Sequence, residues 1–317
     1  MEFYSNSSGG SGVNLPKKVT ICEVGLRDGL QNEKTHLSTD QKKALIETIQ
    51  NAGIKIIEVG SFVNPKAVPQ MADTEEVFKK ILKKNGVEYR VLILNEKGIE
   101  RAAECGIEKA KFTISASRTH QIKNANKTHE FVFDQLEKVA SIAADNGIIL
   151  SGAVATAFGC PFEGQISVEK IDVIVDQFRK VGISEISLSD TTGMANPKQV
   201  FETCSRMLGK YPGKKWNLHF HNTRGMGFSN VLAGMQAGVE RFDSSLGGLG
   251  GCPFAPGATG NIATEDLLNM CNEMGIETGT DIDLVIQGAK LLGNWIRHDL
   301  PSFLLKAGKN SDIHHDC

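Results

Sequence analysis

Eight short β-branched runs recur along the 317 residues, each followed by a loop rich in Gly, Ser, Asn or Pro and then by an amphipathic stretch. This alternation, spread over roughly 250 residues, predicts an α/β chain closed as a (β/α)8 TIM barrel with a short C-terminal helical extension. A doubly wound parallel sheet is the alternative, but no GxGxxG follows the first run to support it.

The strand-like runs come in order. They are VTICEVG (19–25), IKIIEVGSF (54–62), EYRVLIL (88–94), KAKFTISAS (109–117), IILSGAVAT (148–156), EISLSDTTG (185–193), WNLHFHNT (216–223) and RFDSSLGG (241–248). Between them lie helix signals. Ser38 and Gln41 have the spacing of a capping box. Ser167 precedes an acidic first turn. Asn196-Pro197 places Pro at a first helical position. Gly53, Gly106, Gly147, Gly182 and Gly238 stand where helices should end. From about residue 280 an amphipathic helix, LVIQGAKLLGNWI, extends the barrel. The expected organisation is a Ser/Gly/Asn-rich tail over 1–14, the catalytic barrel with its extra helix over 15–300, and a polar tail over 301–317.

Composition narrows the partners. Formal net charge is −2, so no basic excess supports nucleic-acid binding, and with aromatics at 6% a base-stacking surface is not expected either. No apolar run reaches a membrane-spanning length. The first residues lack the apolar region of a secretory signal and hold no Arg before the first strand. Seven scattered cysteines form no CxxC pair, which fits reduced thiols in a cytoplasm.

In such a barrel the active site lies at the C-terminal ends of the strands. Five of the eight strand ends carry charged or ligating groups. The first ends in Arg27 and Asp28, and the second carries Glu58 and Ser61. The sixth ends in Asp190 and Thr191, and the seventh holds His219 and His221. After the eighth comes the loop GGLGGCPFAPGATGN (247–261), with six glycines, Cys252 and Asn261.

Strand period places His219 and His221 on one face. Two inward imidazoles need partners, as hydrogen-bonded core groups or as metal ligands. Asp28 and Asn261 supply oxygen and no thiolate joins them, a set that suits Mg2+ or Mn2+, with Zn2+, Co2+ or Fe2+ as alternatives. Arg27 reads as a fixed positive charge for a developing enolate or carboxylate, against a plain surface ion pair. Glu58 reads as the group that orients it, against an ion pair in the barrel mouth. Asp190 is either a general base or a helix cap. Cys252, in a loop with few large apolar side chains, is a candidate proton donor or nucleophile, ahead of Cys160. The IHHDC ending is not expected to be a metal site.

Together GLRDGLQNE (25–33), IEVGSFVNPKAVPQM (57–71), FGCPFEG (158–164), HFHNTRG (219–225) and GGLGGCPFAPGATGNIATED (247–266) resemble the 3-hydroxy-3-methylglutaryl-CoA lyase family. That family belongs to the metal-dependent barrels that include isopropylmalate and homocitrate synthases. The resemblance runs from about residue 17 to 285. It implies Asp28, His219, His221 and Asn261 as metal ligands, Arg27 and Cys252 as catalytic groups, and Glu58 and Glu265 as supporting acids. Asp190 aligns with an active-site aspartate, and Arg27, Ser61 and Thr191 are the substrate-binding candidates. The implied partner is an acyl-CoA, with no nucleic acid or membrane, and the implied assembly is a homodimer. The implied reaction is retro-Claisen cleavage to acetyl-CoA and acetoacetate, with Asp190 or His219 as base.

Three positions depart from the family pattern: Leu26 for Pro, Ser189 for Gly and Asn222 for Asp. They bear on the acyl chain more than on the reaction type. Rival readings are a lyase for citramalyl-CoA or a longer branched 3-hydroxyacyl-CoA, a condensing 2-oxo acid acyltransferase, and a non-catalytic metal- or CoA-binding protein.

Overall fold

The computed structural model describes residues 14–251 and 259–312. Eight parallel strands close in sequence order, each bonded to the next and β8 to β1. They are β1 Thr20–Glu23, β2 Ile56–Ser61, β3 Glu88–Ile93, β4 Lys109–Ser115, β5 Ile149–Ala155, β6 Glu185–Asp190, β7 Lys215–Phe220 and β8 Arg241–Ser244. The predicted (β/α)8 barrel is the fold. All eight strands fall within the runs predicted for them to within one residue.

The outer ring begins with α1 Thr39–Asn51, α2 Thr74–Lys80 and α3 Glu96–Glu104. Two helices, α4 Arg118–Ala125 and α5 His129–Asp145, then follow β4 where the alternation predicts one. The ring continues with α6 Val168–Lys180, α7 Pro197–Lys210, α8 Gly227–Gln236 and α9 Thr264–Glu273, followed by α10 Ile282–Ile296 and α11 Leu304–Ala307.

Local chemistry sets the boundaries. The capping box at α1 is complete: Ser38 Oγ accepts from the Gln41 amide and the Gln41 side chain accepts from the Ser38 amide. Asn196 caps α7 with Pro197 behind it. Ser167 occupies the N-cap position of α6, but its hydroxyl bonds no backbone amide of the first turn. The five glycines predicted to end helices all have positive φ, from 67° to 100°.

Outward strand residues such as Ile57, Val91, Phe112, Val154 and Leu188 are buried beneath the helices. Gly152 lets Phe178 of α6 lie flat on β5, since a Cβ there would stand 2.6 Å from the ring. The bore, by contrast, is lined with charge. At its N-terminal end Glu185 pairs with Arg90 (2.8 Å), Lys109 (2.6 Å) and Arg241 (2.6 Å). Glu88 pairs with Arg90 and Lys109 as well, so each of these ions touches an opposite charge, which burial requires.

The segment expected as a polar tail begins packed. Ser302 is fully buried, its hydroxyl donating to Asp266, while the Phe303 and Leu304 amides donate to the same carboxylate. The composition of 301–317 predicts a polar tail. It does not reveal the acid at the start of α9 that satisfies the backbone amides there.

Candidate active site

The site is built first on backbone. Gly25–Gly29 forms a π-helical turn in which the amides of Arg27, Asp28 and Gly29 all converge on the Val24 carbonyl. Such turns re-aim side chains at functional sites. Here the turn throws both Arg27 and Asp28 into the barrel mouth. Its glycines are required by space: a Cβ on Gly25 would lie 2.5 Å from Glu23 Oε1, and one on Gly29 would lie 2.7 Å from Ser245 Oγ. Glu23 holds the floor below, accepting from the Gly25 and Leu246 amides and the Thr264 hydroxyl.

The glycine-rich loop supplies the opposite wall. Gly247, Gly248 and Gly250 have φ of 69°, 72° and 125°, which L side chains rarely adopt. The chain returns through Gly260, whose carbonyl accepts from the Asn222 amide, and Asn261 then bridges to His221. No side chain fits at Gly260, because a Cβ would sit 2.1 Å from the Gly248 carbonyl oxygen.

Asp28, His219 and His221 meet in one buried cluster, each offering a ligand atom within 4.8 Å of the others. The Nε2 atoms of His221 and His219 lie 3.5 and 3.9 Å from Asp28 Oδ2. The Asn261 amide nitrogen donates to Asp28 Oδ2 (2.9 Å) and to the Leu249 carbonyl (3.0 Å). Its Oδ1 is left buried with no hydrogen-bond partner among the described residues, as is His221 Nδ1. An orphaned amide oxygen beside a carboxylate and two imidazoles is a donor set that fits a divalent cation. Burial opposes the charge on Asp28, yet Arg27 and the imidazoles hold its pKa well below the usual carboxylate range. The carboxylate is therefore ionised and ready to ligate.

Arg27 is pinned between two acids. Its Nε donates to Glu58 and its Nη1 lies 2.5 Å from Asp28 Oδ1. Glu58 in turn pairs with Lys111 of β4 at 2.8 Å, and Lys111 reaches Asp243 of β8 at 3.2 Å. Asp243 accepts from His219 Nδ1 at 3.2 Å and from the Asn217 amide at 2.8 Å. A carboxylate behind Nδ1 fixes the tautomer that presents a lone pair on Nε2. Burial opposes the charges of Glu58 and Asp243 as well, but Arg27 and Lys111 hold the former ionised, and Lys111 with His219 the latter.

These groups floor a cavity of about 430 Å³ that opens over the loops after β2, β3 and β4. Arg27, Asp28, Lys111, His219, His221 and Asp243 line its base, and Ser189 and Thr191 line the wall from β6. Gly251, held by the Asn32 side chain at 2.9 Å, borders it too. Cys252 lies outside the described residues. The outer arm runs over α4 and α5, past Asn124, Lys127 and Phe131.

Several of the candidates do not line the cavity. Asp190 does not face the cavity. Glu185, Ser187 and Ser189 point into the bore, so strand period turns Asp190 outward. There its two oxygens accept from the Met194 (2.8 Å) and Ala195 (3.1 Å) amides, so it shapes the loop after β6. Ser61 is buried at the end of β2 and does not line the cavity. Glu265 is fully buried behind the glycine-rich loop, accepting from the Gly247 amide at 3.0 Å. Cys160 bonds Ser117 beneath the β5 loop, away from the cavity floor. Of the three departures from the family pattern, only Ser189 lines the cavity. Asn222 accepts from the Gly227 amide at the start of α8, and Leu26 is buried in the core.

Lys111 and Asp243 were missed. Both stand inside strands whose alternation places them in the bore, beside inward Lys109 and Arg241. Charges at i and i+2 in a barrel strand were the available signal.

A closed parallel barrel with an Asp–His–His cluster at its C-terminal mouth is the class that fold and site define. The chain belongs to the HMGL-like family, whose profile matches residues 18–291. It is 40% identical over 296 residues to the hydroxymethylglutaryl-CoA lyase YngG of Bacillus subtilis, covering 93% of this chain and 99% of the relative. It is 38% identical to the (R)-citramalyl-CoA lyase of Chloroflexus aurantiacus, covering 92% and 95%. Among solved structures, an HMG-CoA lyase from Acinetobacter baumannii in complex with coenzyme A and 3-methylmalate superposes with a TM-score of 0.92. It shares 46% identity and covers 95% of this chain and 98% of its own.

Proposed function

We propose that the protein is a metal-dependent carbon–carbon lyase that cleaves 3-hydroxy-3-methylglutaryl-CoA to acetyl-CoA and acetoacetate. One observation carries this reading: Arg27 and the Asp28–His219–His221 cluster share a single cavity floor, in a chain 40% identical to a lyase of that name.

Asp28, His219, His221 and Asn261 would hold Mg2+ or Mn2+. When bound, the cation would supply Lewis-acid chemistry that makes the substrate's C3 hydroxyl more acidic. Of the two bases named from the sequence, His219 alone faces the cavity. As a metal ligand its Nε2 lone pair would be committed to the cation, with Asp243 behind Nδ1 fixing the ring, so the C3 hydroxyl proton passes to water in the open cavity. The C2–C3 bond breaks, C3 becomes the ketone carbon of acetoacetate, and the bonding pair moves to the thioester as an enolate. Arg27 offers its guanidinium to that charge, and Glu58 and Asp28 hold it in place. Cys252 delivers the proton to C2.

Ser189 borders the acyl pocket where the family pattern has Gly, which makes it the residue to test for chain selectivity. A panel of 3-hydroxy-3-methylglutaryl-CoA, citramalyl-CoA and a longer branched analogue, assayed with Mn2+, tests the reading. Fastest release of acetoacetate from the first supports it, and preferential release of pyruvate from the second replaces it.

A further inference from the structure

A lysine that crosses the bore is the feature of the site that the reaction above leaves unused. Lys111 rises from β4 and ends between Glu58 of β2 and Asp243 of β8, 2.8 and 3.2 Å away. It is 3% exposed, and what remains exposed borders the cavity. It is the middle member of a run of contacts from Arg27 through Glu58, Lys111 and Asp243 to His219. It thus connects the group that meets developing negative charge with an imidazole of the metal cluster.

The charge balance shows what it does there. Arg27 touches two carboxylates, Asp28 and Glu58. Left to itself, Glu58 would place a whole negative charge against the guanidinium, and Arg27 would offer little net field to a substrate. Shared with Lys111, Glu58 neutralises Arg27 only in part. The two cations and the three carboxylates Asp28, Glu58 and Asp243 leave one excess negative charge, and a divalent cation turns that into one positive charge. Without Lys111 the same loaded site is neutral. At the buried floor of the cavity, where screening by water is reduced, that difference acts on an anionic substrate. Asp243 does not depend on Lys111 for its position, because the Asn217 amide holds its other oxygen at 2.8 Å.

We propose that Lys111 is a positioning residue that keeps the loaded centre cationic, by taking up the charge of Glu58 that would otherwise cancel Arg27. This rests on the lyase reading above. It makes two predictions of opposite sign. Removing the lysine weakens turnover of an anionic acyl-CoA, but it does not weaken binding of the metal, since the site becomes more negative. Removing the charge of Glu58 as well restores the balance.

The test uses the full chain and Mn2+ alone as the binding probe. Lys111→Met should lower kcat/KM for 3-hydroxy-3-methylglutaryl-CoA on the order of 100-fold, with the Mn2+ Kd, read by electron paramagnetic resonance, unchanged or lower. The double variant Glu58→Gln with Lys111→Met should regain at least about tenfold of that loss. A purely structural lysine gives neither result. Should Lys111→Met fail to fold, Lys111→Gln, which keeps a neutral donor, is measured the same way. Failure of both to fold overturns the proposal. So does a double variant no more active than Lys111→Met, or Mn2+ affinity that falls with activity. If the wild type itself releases no acetoacetate, the lyase reading fails. The Mn2+ affinities then still decide on Lys111: weaker binding in the variant refutes its role, and equal or tighter binding supports it.

Discussion

Arg27 and Cys252 act at different moments of the proposed reaction, so their removal should leave different traces. Arg27→Ala deletes a donor to the enolate and should lower kcat by about 10²–10³-fold. It should also leave Glu58 short of a partner inside the bore. Cys252→Ala should lower kcat while leaving Mn2+ affinity and thermal stability unchanged, as calorimetry would check. Full activity in Cys252→Ala would remove the thiol from the mechanism. Glu265 makes a separate prediction. Burial pushes its pKa up to about 7 from an ordinary value of 4.5, and its Oε1 has no partner among the described residues. Its protonated form is the one the fold prefers. Its contribution is complete below pH 4.5 and is lost as pH rises through 7. Glu265→Gln keeps an acceptor for the Gly247 amide and should be more stable than wild type at pH 8 by about 1–3 kcal/mol, with little difference at pH 4.5. Urea titration at the two pH values checks this. The ligand residues were legible in the sequence because an HxH inside a strand-like run and an Arg-Asp at a strand end are costly without a purpose. Asp190 misled because a strand end tells the eye that a residue is at the rim, whereas the period-two count tells which side of the wall it is on.

At the level of elements, the site depends on two backbone devices that side chains alone do not reveal. One is the π-helical turn Gly25–Gly29, and the other is the arch from Gly247 to Gly250 that Gly260 closes. The arch sets Asn261 against Asp28, and Gly260 has no room for a methyl group. Gly260→Ala should therefore displace Asn261 and raise the Mn2+ Kd at least about tenfold, while circular dichroism still reports a folded barrel. Unchanged Mn2+ binding would mean that Asn261 is not a ligand. The sequence showed the glycines but not which of them was pressed against backbone, since that depends on how the returning chain packs. It also merged α4 and α5 into one expectation. Their junction is Asn126, in the left-handed region at φ 52°, a conformation that Asn tolerates and whose position no periodicity marks.

The whole molecule combines an apolar shell with a charged bore. Hydrophobic periodicity made the shell legible, so the barrel and the place of each strand followed from the sequence, although the runs overshoot the strand ends by up to four residues. The pairings inside the bore were not legible, because its residues acquire partners only when β1 meets β8 and distant strands face each other: Lys111 and Asp243 are 132 positions apart. The C-terminal segment follows the same rule, since Leu300 covers Gly247 and Asp266 holds Ser302, contacts that exist only once the barrel is closed. Among the described residues no helix is long and apolar enough to cross a membrane. A closed barrel, a cation-ready floor and a guanidinium above it form one working unit only if metal and acyl-CoA chemistry are coupled. The most direct measurement is acetoacetate release from 3-hydroxy-3-methylglutaryl-CoA by metal-stripped protein before and after addition of Mn2+ or Mg2+. The account predicts acetoacetate and acetyl-CoA in equal amounts with metal and none without it. Metal-independent release, or no release under either condition, would contradict it.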